Sequence, residues 1–128
     1  MKLRPLLSVF AIFVVVGGLF PLLAPGWTLS LYGVAGPTDL AIALHRIVGS
    51  MEIGVGVMAW LARGAEASPA RKAVTVGLAT FSGLSAVTVI LAILGGLFNV
   101  FVWAPAVAYG LFAILFLAAG PFAKDPGA

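Results

Sequence analysis

The feature that most constrains this chain is a stretch without a charged side chain that runs through residues 73–123. A membrane helix needs about 20 apolar residues, so this stretch is long enough for two crossings. Another uncharged stretch covers residues 6–24, and a third apolar stretch lies between Asp39 and Arg63. The sequence therefore predicts an all-α membrane protein with a bundle of four transmembrane helices. A single domain, 1–128, would hold them at approximately 5–24, 39–62, 73–96 and 100–119.

The amino-acid composition excludes several classes of protein. Hydrophobic residues make up 62% of the chain and charged residues only 9%. A soluble domain carries about 25% charged residues, so this chain lacks the side chains for a water-facing exterior. It has no cysteine and one histidine, which argues against disulfides, thiolate nucleophiles and a metal site built from protein ligands. The net charge of +3 comes from scattered residues that form no patch for nucleic acid.

The ends of the predicted helices are marked by glycine and proline. The start, MKLRP, is similar to the basic region of a signal peptide, but no A-x-A cleavage site follows the apolar stretch, which favours a retained helix ending at Pro25. Gly95 and Gly96 provide a break between the third and fourth helices, and Asn99 is a suitable N-cap. Pro105 then falls inside the fourth helix, where we expect it to produce a bend.

Basic residues indicate how the bundle is oriented in the membrane. They precede the first helix, flank the loop between the second and third, and follow the fourth: Lys2, Arg4, Arg63, Arg71, Lys72 and Lys124. The other two loops have no Lys or Arg. The positive-inside rule therefore predicts that both termini are cytoplasmic, in a multi-pass protein of the bacterial inner membrane. Aromatic residues fit both boundaries, with the outer one marked by Trp27, Tyr32 and Trp103 and the inner one by Trp60.

The segment LHRIVGSMEIG in the second helix places three ionisable residues, His45, Arg46 and Glu52, within about two helical turns. Counting about 1.5 Å per residue back from Arg63 puts Glu52 about 16 Å deep, near the midplane of the membrane. A lone charge at that depth costs at least about 3 kcal/mol. We therefore expect Glu52 to be protonated, paired, or exposed to water inside the bundle.

Two interpretations of Glu52 follow from its depth. In one, Glu52 and Arg46 compensate each other in a polar pocket that binds a ligand or accepts a proton. In the other, neutral Glu52 forms hydrogen bonds with hydroxyl groups of the third helix. The candidate hydroxyls are those of Thr80, Ser82, Ser85 and Thr88. Arg46 also has a structural alternative, in which it extends to the outer headgroups or pairs with Asp39.

His45 is the residue that raises the question of a cofactor. A histidine in a membrane helix can ligate haem or another tetrapyrrole through one ring nitrogen. Gly49, one turn further along the helix, leaves room for a flat macrocycle. No second ligand or attachment motif accompanies His45, so the prediction is that the protein has no cofactor and no metal, with a tetrapyrrole as the alternative.

Small residues predict close packing of the helices. Ser50 and Gly54 form a small-xxx-small pair, while Gly49 and Gly56 lie on the same helical face as Glu52. Such residues let membrane helices approach closely, either inside one bundle or between two chains. The complete set of packing candidates is Gly49, Ser50, Gly54, Gly56, Ser85 and Thr88.

Three segments carry a resemblance to a known family: LLAPGWTLSLYG, HRIVGSMEIGVGVMAWLAR and FNVFVWAPAVAYGLFAILF. They resemble a family of small four-helix bacterial membrane proteins of unknown function, which is distantly similar to the DoxX-like group. The resemblance implies a four-helix bundle and brings no catalytic residues with it. Arg46 and Gly49 are similar to the second-helix signature of the family, whereas His45 and Glu52 depart from it.

The sequence supports two hypotheses for function. No motif of a hydrolase, nucleotide-binding protein or metalloprotease is present, so the leading hypothesis is a membrane protein without catalytic activity. It would act as an accessory or structural subunit of a larger membrane complex, or as a homo-oligomer, with membrane lipids as its other partners and no nucleic acid. The alternative is a binder or carrier of a small hydrophobic ligand, such as a quinone, lipid or isoprenoid, in a polar pocket around Arg46 and Glu52.

Overall fold

The computed structural model describes residues 2–119, which form helices and short connections. In chain order the helices are α1 (Leu3–Leu23), α2 (Pro25–Leu31), α3 (Asp39–Ala62), α4 (Pro69–Leu94), a 3-10 helix (Val100–Val102) and α5 (Trp103–Ala119). Four segments are long and apolar enough to cross a membrane, namely α1, α3, α4 and the last span, Val100–Ala119. The predicted four-helix bundle is confirmed, and the chain has the helices of a multi-pass membrane protein. Lys124, used above for orientation, lies outside the described residues.

The starts of α3 and α4 are fixed by hydroxyl caps. Thr38 Oγ1 accepts a hydrogen bond from the Ala41 N–H at 3.2 Å, and Ser68 Oγ accepts one from the Arg71 N–H at 3.2 Å. Each cap satisfies a backbone donor that has no partner inside its own helix. Pro69 follows Ser68 as the first residue of α4, a position where its missing N–H costs nothing. The third span therefore begins at Pro69 and not at the predicted residue 73.

The short helix α2 was not predicted from the sequence. Pro25, expected only to end the first helix, occupies the first position of α2. The Thr28 N–H then bonds to the Ala24 carbonyl at 3.0 Å and the Tyr32 N–H to the Thr28 carbonyl at 3.1 Å. A proline that ends one helix is also a good residue to start the next, because its fixed φ suits the first turn.

Asn99 and Pro105 behave differently from the expectation at the start of the last span. Asn99 Oδ1 accepts a hydrogen bond from the Phe101 N–H at 3.1 Å, so it caps the 3-10 helix and only indirectly α5. Regular α-helix begins at Trp103, which places Pro105 in the first turn of α5. The Trp103 N–H at the start of that turn bonds to the Val100 carbonyl of the 3-10 helix. Pro105 has no N–H and lies just after the change from 3-10 to α geometry. The expected bend at Pro105 stays a prediction.

The long helices pack as two pairs, α1 with α3 and α4 with α5, while α3 and α4 make only slight contact. Aromatic rings join the two pairs. The ring of Phe10 on α1 meets the rings of Phe112 and Phe116 on α5 edge-on, with centroids 5.0 and 5.1 Å apart. These rings lie toward the end of the bundle that holds residues 2 and 119, which we call the terminal end. The opposite end, which carries α2, is the α2 end.

Candidate functional site

The face of α3 that meets α1 is made of glycine. A Cβ atom built on Gly49 would lie 2.5 Å from the Gly18 carbonyl oxygen, and one built on Gly18 would lie 2.6 Å from the Gly49 carbonyl oxygen. Gly56 is as confined, since a Cβ there would lie 2.6 Å from the Val15 side chain. The two backbones therefore touch directly. Glu52 borders this contact, because its Cβ lies 3.0 Å from a Cβ built on Gly18.

Glu52 is held by Tyr109 of α5. The Tyr109 hydroxyl donates a hydrogen bond to Glu52 Oε1. The Tyr109 side chain is buried, and its ring meets the rings of Phe13 and Phe81 edge-on at 5.5 and 5.8 Å between centroids. Such packing restricts the orientation of the phenol, so the hydroxyl is directed at α3. Glu52 and Tyr109 thus connect the α1–α3 pair to the α4–α5 pair near the middle of α3.

A cavity of about 430 Å³ lies beside this hydrogen bond, toward the α2 end. Its lining includes residues from all five α-helices and from the connection before α5: Phe13, Gly17, Pro21, Thr28, Tyr32, His45, Val48, Glu52, Val89, Phe98, Val102, Ala104, Pro105 and Tyr109. Most of these side chains are apolar. From His45 to Glu52 the cavity follows α3 for about 10 Å. Polar groups are therefore concentrated on a few positions of a largely apolar chamber.

Asn99 ties the elements that close the α2 end. Its side-chain amide donates to the Leu31 carbonyl at 2.9 Å, and its backbone N–H donates to the Tyr32 carbonyl at 2.9 Å. Gly33 has a positive φ of 91°, and a Cβ at this position would lie 3.2 Å from the Asn99 side chain. Only glycine adopts this conformation without strain. The end of α2 is thereby fixed to the start of the last span, with Tyr32 in the wall of the cavity.

Two other polar groups complete the lining. The ring nitrogen Nε2 of His45 is buried and has no hydrogen-bond partner among residues 2–119. The ring of Tyr32 meets the imidazole of His45 edge-on, with centroids 6.4 Å apart. Burial, and secondarily the charge of Glu52, raise the pKa of the Tyr32 phenol above its usual value. Tyr32 is therefore neutral at physiological pH and adds no charge to the cavity.

Glu52 pairs neither with Arg46 nor with a hydroxyl group of α4, the two kinds of partner that we expected. Arg46 is exposed on the outside of the bundle and does not line the cavity. Thr80 donates to the carbonyl of Val76 in its own helix at 2.9 Å, and Ser82 is buried without a partner in the described part of the chain. The phenol of Tyr109 takes the place of both. Of the three ionisable residues singled out in the sequence, the structure brings His45 and Glu52 together in one cavity and leaves Arg46 outside.

The six residues that we expected in close helix contacts have different surroundings in the structure. Gly49 and Gly56 are buried against α1, as described above. Ser50 is exposed, and a Cβ built on Gly54 would have no atom within 4 Å, so this small-xxx-small pair faces outward. Thr88 is exposed on α4 and Ser85 is half-buried there. Inside this chain, the close helix contact rests on Gly49 and Gly56 and not on the Ser50–Gly54 pair.

Tyr109 is the site residue that the sequence interpretation missed, although a signal for it exists. It follows Trp103, the residue expected at the outer boundary, by six positions, or about 9 Å along a helix. A tyrosine that deep lies below the interfacial zone, where its hydroxyl would meet water or headgroups. A buried phenol needs a hydrogen-bond partner, and an intramembrane glutamate is a suitable one. Tyr32 and Thr28 were missed because α2 itself was not predicted.

Metal and cofactor chemistry has limited support in the described residues. No group of three His, Cys, Asp or Glu side chains in that part of the chain is arranged to hold a metal ion. His45 is the single histidine, and no second imidazole is available as an axial ligand. The tetrapyrrole alternative stays a prediction that rests on His45 alone.

Comparison with known protein families, with curated proteins and with solved structures finds no match to this chain. The resemblance to the DoxX-like group therefore stays a prediction.

Proposed function

We propose that this protein binds a small, mostly apolar molecule with one polar head, inside the membrane and without transforming it. The molecule would occupy the cavity at the α2 end, with its head near Glu52 and Tyr109. The observation that carries the proposal is a chamber of about 430 Å³ with polar groups gathered at the Glu52–Tyr109 pair and at His45. Binding sites for small molecules typically have volumes of about 300–1,000 Å³ and mainly apolar walls with a few polar groups.

The cost of placing Glu52 at this depth supports a role in binding. Structural stability does not require a carboxyl group there, because hydrogen bonds between membrane helices contribute only about 0.6 kcal/mol on average. Ionisable residues within membrane spans more often mark the path of a substrate or proton. Glu52 faces a chamber and not a closed seam, which favours contact with a ligand over a purely structural role.

Native mass spectrometry of the protein extracted gently from its own membrane tests the proposal. The matched variants are Gly17→Leu and Gly77→Leu, because a Cβ built at either glycine would have no atom within 4 Å, yet only Gly17 lines the cavity. We expect a small molecule to be retained by the wild type and by Gly77→Leu and to be lost from Gly17→Leu. Equal retention by all three would show that the molecule binds elsewhere and would contradict the proposal.

The accessory-subunit or homo-oligomer hypothesis remains as the second candidate. It is favoured by the outward-facing pair Ser50 and Gly54, which leaves a thin strip on the surface of α3. The chain has no cysteine, so Gly54→Cys would provide a single site for oxidative cross-linking in the membrane. A cross-linked dimer would support self-association through this strip, and a monomer would count against it. Trp60→Cys, an exposed position about a third of a turn round α3 from Gly54, is the matched control.

We also propose that the membrane is the bacterial inner membrane and that both ends of the chain are cytoplasmic. The support is the location of basic residues at the terminal end of the bundle, including Arg63 and Arg71 beside the connection between α3 and α4. A cysteine introduced at the exposed Ser68 should react with an impermeant thiol reagent only after the cells are opened. Labelling of Ser68→Cys in intact cells would reverse the orientation.

A further inference from the structure

Two hydroxyl protons in the cavity wall are already used by the protein. The Thr28 hydroxyl donates to the Ala24 carbonyl at 2.8 Å, and the Tyr109 hydroxyl donates to Glu52. A hydroxyl whose proton is engaged offers only its lone pairs to another molecule. Thr28, Tyr109 and an ionised Glu52 therefore all face the cavity as hydrogen-bond acceptors, whereas a protonated Glu52 adds one O–H donor.

The backbone around the cavity adds to this excess of acceptors. The Phe101 N–H at the start of the last span is engaged by Asn99, and Pro105 in the cavity wall has no N–H. Pro21 likewise has no N–H to donate to the Gly17 carbonyl four residues before it, and both residues line the cavity. When Glu52 is ionised, the side-chain donors that remain among the described lining residues are the Tyr32 hydroxyl and the imidazole of His45.

Glu52 is the one carboxyl group among the described residues of the cavity wall. The ionisable groups that line the cavity are Tyr32 at the end of α2, His45 and Glu52 on α3, and Tyr109 on α5, while α1 and α4 contribute none. No Lys or Arg is among the described lining residues. An ionised Glu52 therefore has no Lys or Arg in the cavity to neutralise it, and the His45 imidazole is carried about 10 Å away along α3. A ligand that carries a positive charge would supply the missing partner.

Aromatic rings form much of the surrounding wall. The lining includes the rings of Phe13, Tyr32, Phe98 and Tyr109. Phe98 and Tyr32 meet edge-on at 6.3 Å between centroids, as do Phe13 and Tyr109 at 5.5 Å. The faces of aromatic rings attract organic cations, and the attraction is strongest where water is excluded. Acceptors, one carboxyl group and aromatic walls all favour the same kind of ligand head.

We propose that the cavity binds a lipophilic organic ammonium ion with at least one N–H, in exchange for the proton of Glu52. This inference rests on the proposed function, because it names the class of molecule that the cavity takes. In the empty protein Glu52 holds a proton. When the ammonium ion enters, the carboxyl O–H bond breaks, the proton leaves to the aqueous phase, and the carboxylate forms an ion pair with the ligand N–H. The net charge of the cavity is unchanged by this exchange.

Other head groups fit the same wall less well. A phosphate or carboxylate head would find no Lys or Arg in the described lining, and its charge would oppose the ionisation of Glu52, because like charges in a low dielectric repel strongly. A quinone head offers only acceptors, so it would use the single O–H of protonated Glu52 but would leave the acceptor oxygens of Thr28 and Tyr109 without a donor from the ligand. An ammonium head meets neither difficulty.

The test uses three probes with one tail and different heads: phenylbutylammonium, phenylbutanol and phenylbutyrate. The protein is placed in nanodiscs of zwitterionic lipid, so that the membrane itself concentrates neither ion. Binding of tritiated phenylbutylammonium is followed by scintillation proximity, and the other two probes are added as competitors. We expect the ammonium to bind at least about tenfold more tightly than the alcohol or the carboxylate. Its affinity should rise with pH while the amine stays charged, because protons compete with it for Glu52.

The variant Glu52→Gln should lower the affinity for the ammonium by at least about tenfold and remove its pH dependence. It should leave binding of tritiated phenylbutanol unchanged, which also shows that the variant is folded. The control Glu66→Gln removes an exposed carboxyl group outside the spans and should change neither affinity.

The outcomes separate this inference from the proposed function. If the alcohol or the carboxylate binds as tightly as the ammonium, and Gly17→Leu abolishes that binding, the cavity is a binding site but the inference is wrong. An ammonium affinity that survives Glu52→Gln also overturns the inference. If none of the three probes binds the wild type more tightly than Gly17→Leu, both the inference and the proposed function fail.

Discussion

The two ends of the bundle are built from the same helices but differ in packing. At the terminal end, the fully buried rings of Phe10 and Phe116 fill the space between α1 and α5. At the α2 end, the same two helices contribute Gly17 and Ala104 to the wall of a cavity. The difference teaches that helix pairing alone does not decide whether a membrane bundle is solid. Side-chain size at each level decides it: the more enclosed cavity lies at the level of Glu52 and His45, whereas the space at the terminal end is a more open groove of about 510 Å³ between α3 and α4.

The glycine contact between α1 and α3 explains how one bundle can have a cavity at the α2 end and a filled core at the terminal end. It holds the two backbones together at Gly18 and Gly49, close to the level of Glu52. This rigid contact keeps α1 and α3 from shifting to fill the cavity. The contact between α4 and α5 is also made by small residues, since a Cβ built on Gly83 would lie 3.8 Å from the Cβ of Ala113. Each pair is close-packed, and the space that remains lies between the pairs.

Truncating one ring at each end gives the largest contrast between them. Phe116→Ala should lower the free energy of unfolding by about 3–5 kcal/mol, because it leaves a hole in a solid core. Phe98→Ala should cost only about 1 kcal/mol, because Phe98 borders existing space and loses mainly its edge contact with Tyr32. Unfolding in mixed micelles measures both. Similar losses for the two variants would mean that the ends are packed alike.

Replacing each of two glycines of α3 by alanine should give the next largest contrast in the free energy of unfolding. Gly49→Ala forces its Cβ against the backbone of α1 and should cost about 3 kcal/mol, near the upper end of overpacking penalties. Gly54→Ala has open space around the same added atom and should be neutral or slightly stabilising. The same unfolding measurement compares them. If Gly49→Ala were as stable as Gly54→Ala, the two backbones could not be in direct contact.

The hydrogen bond at the edge of the cavity should give the smallest change in stability. Tyr109→Phe removes the donor to Glu52 and should cost about 1 kcal/mol, as expected for a hydrogen bond between membrane helices. Glu52→Gln keeps an oxygen that accepts from Tyr109, so its melting temperature in detergent should stay near that of the wild type. A loss of several degrees for Glu52→Gln would show that the carboxyl group itself stabilises the fold.

The sequence was sufficient for the four spans because apolar length and the scarcity of charge leave few alternatives. It also places Glu52 about 16 Å from Arg63 along a helix, and the depth of Glu52 in the membrane stays a prediction. It was insufficient for α2, because Pro25 and Gly26 are typical of a turn as much as of a helix start. Because α2 was not predicted, Thr28 and Tyr32 were not recognised as part of the cavity wall.

The partner of Glu52 could not be obtained from periodicity, since that describes one helix at a time. Arg46 was the nearest opposite charge in the sequence, but it lies about a third of a turn round the helix from Glu52 and faces outward. Tyr109 is distant in sequence and becomes a neighbour only through the arrangement of the two helix pairs. Long-range pairing of this kind depends on which helices are adjacent, and four apolar helices can be arranged in several ways.

Thiol accessibility at two positions of α4 tests the central claim, that the α2 end holds an open chamber beside a solid core. The native chain has no cysteine, so Val89→Cys and Ala86→Cys each provide a single thiol, less than one turn apart. Val89 lines the cavity, whereas Ala86 is buried in the core. We predict that a small water-soluble methanethiosulfonate modifies Val89→Cys and leaves Ala86→Cys unreacted in folded protein. Equal reactivity at the two positions, or no reaction at Val89→Cys, would contradict the account.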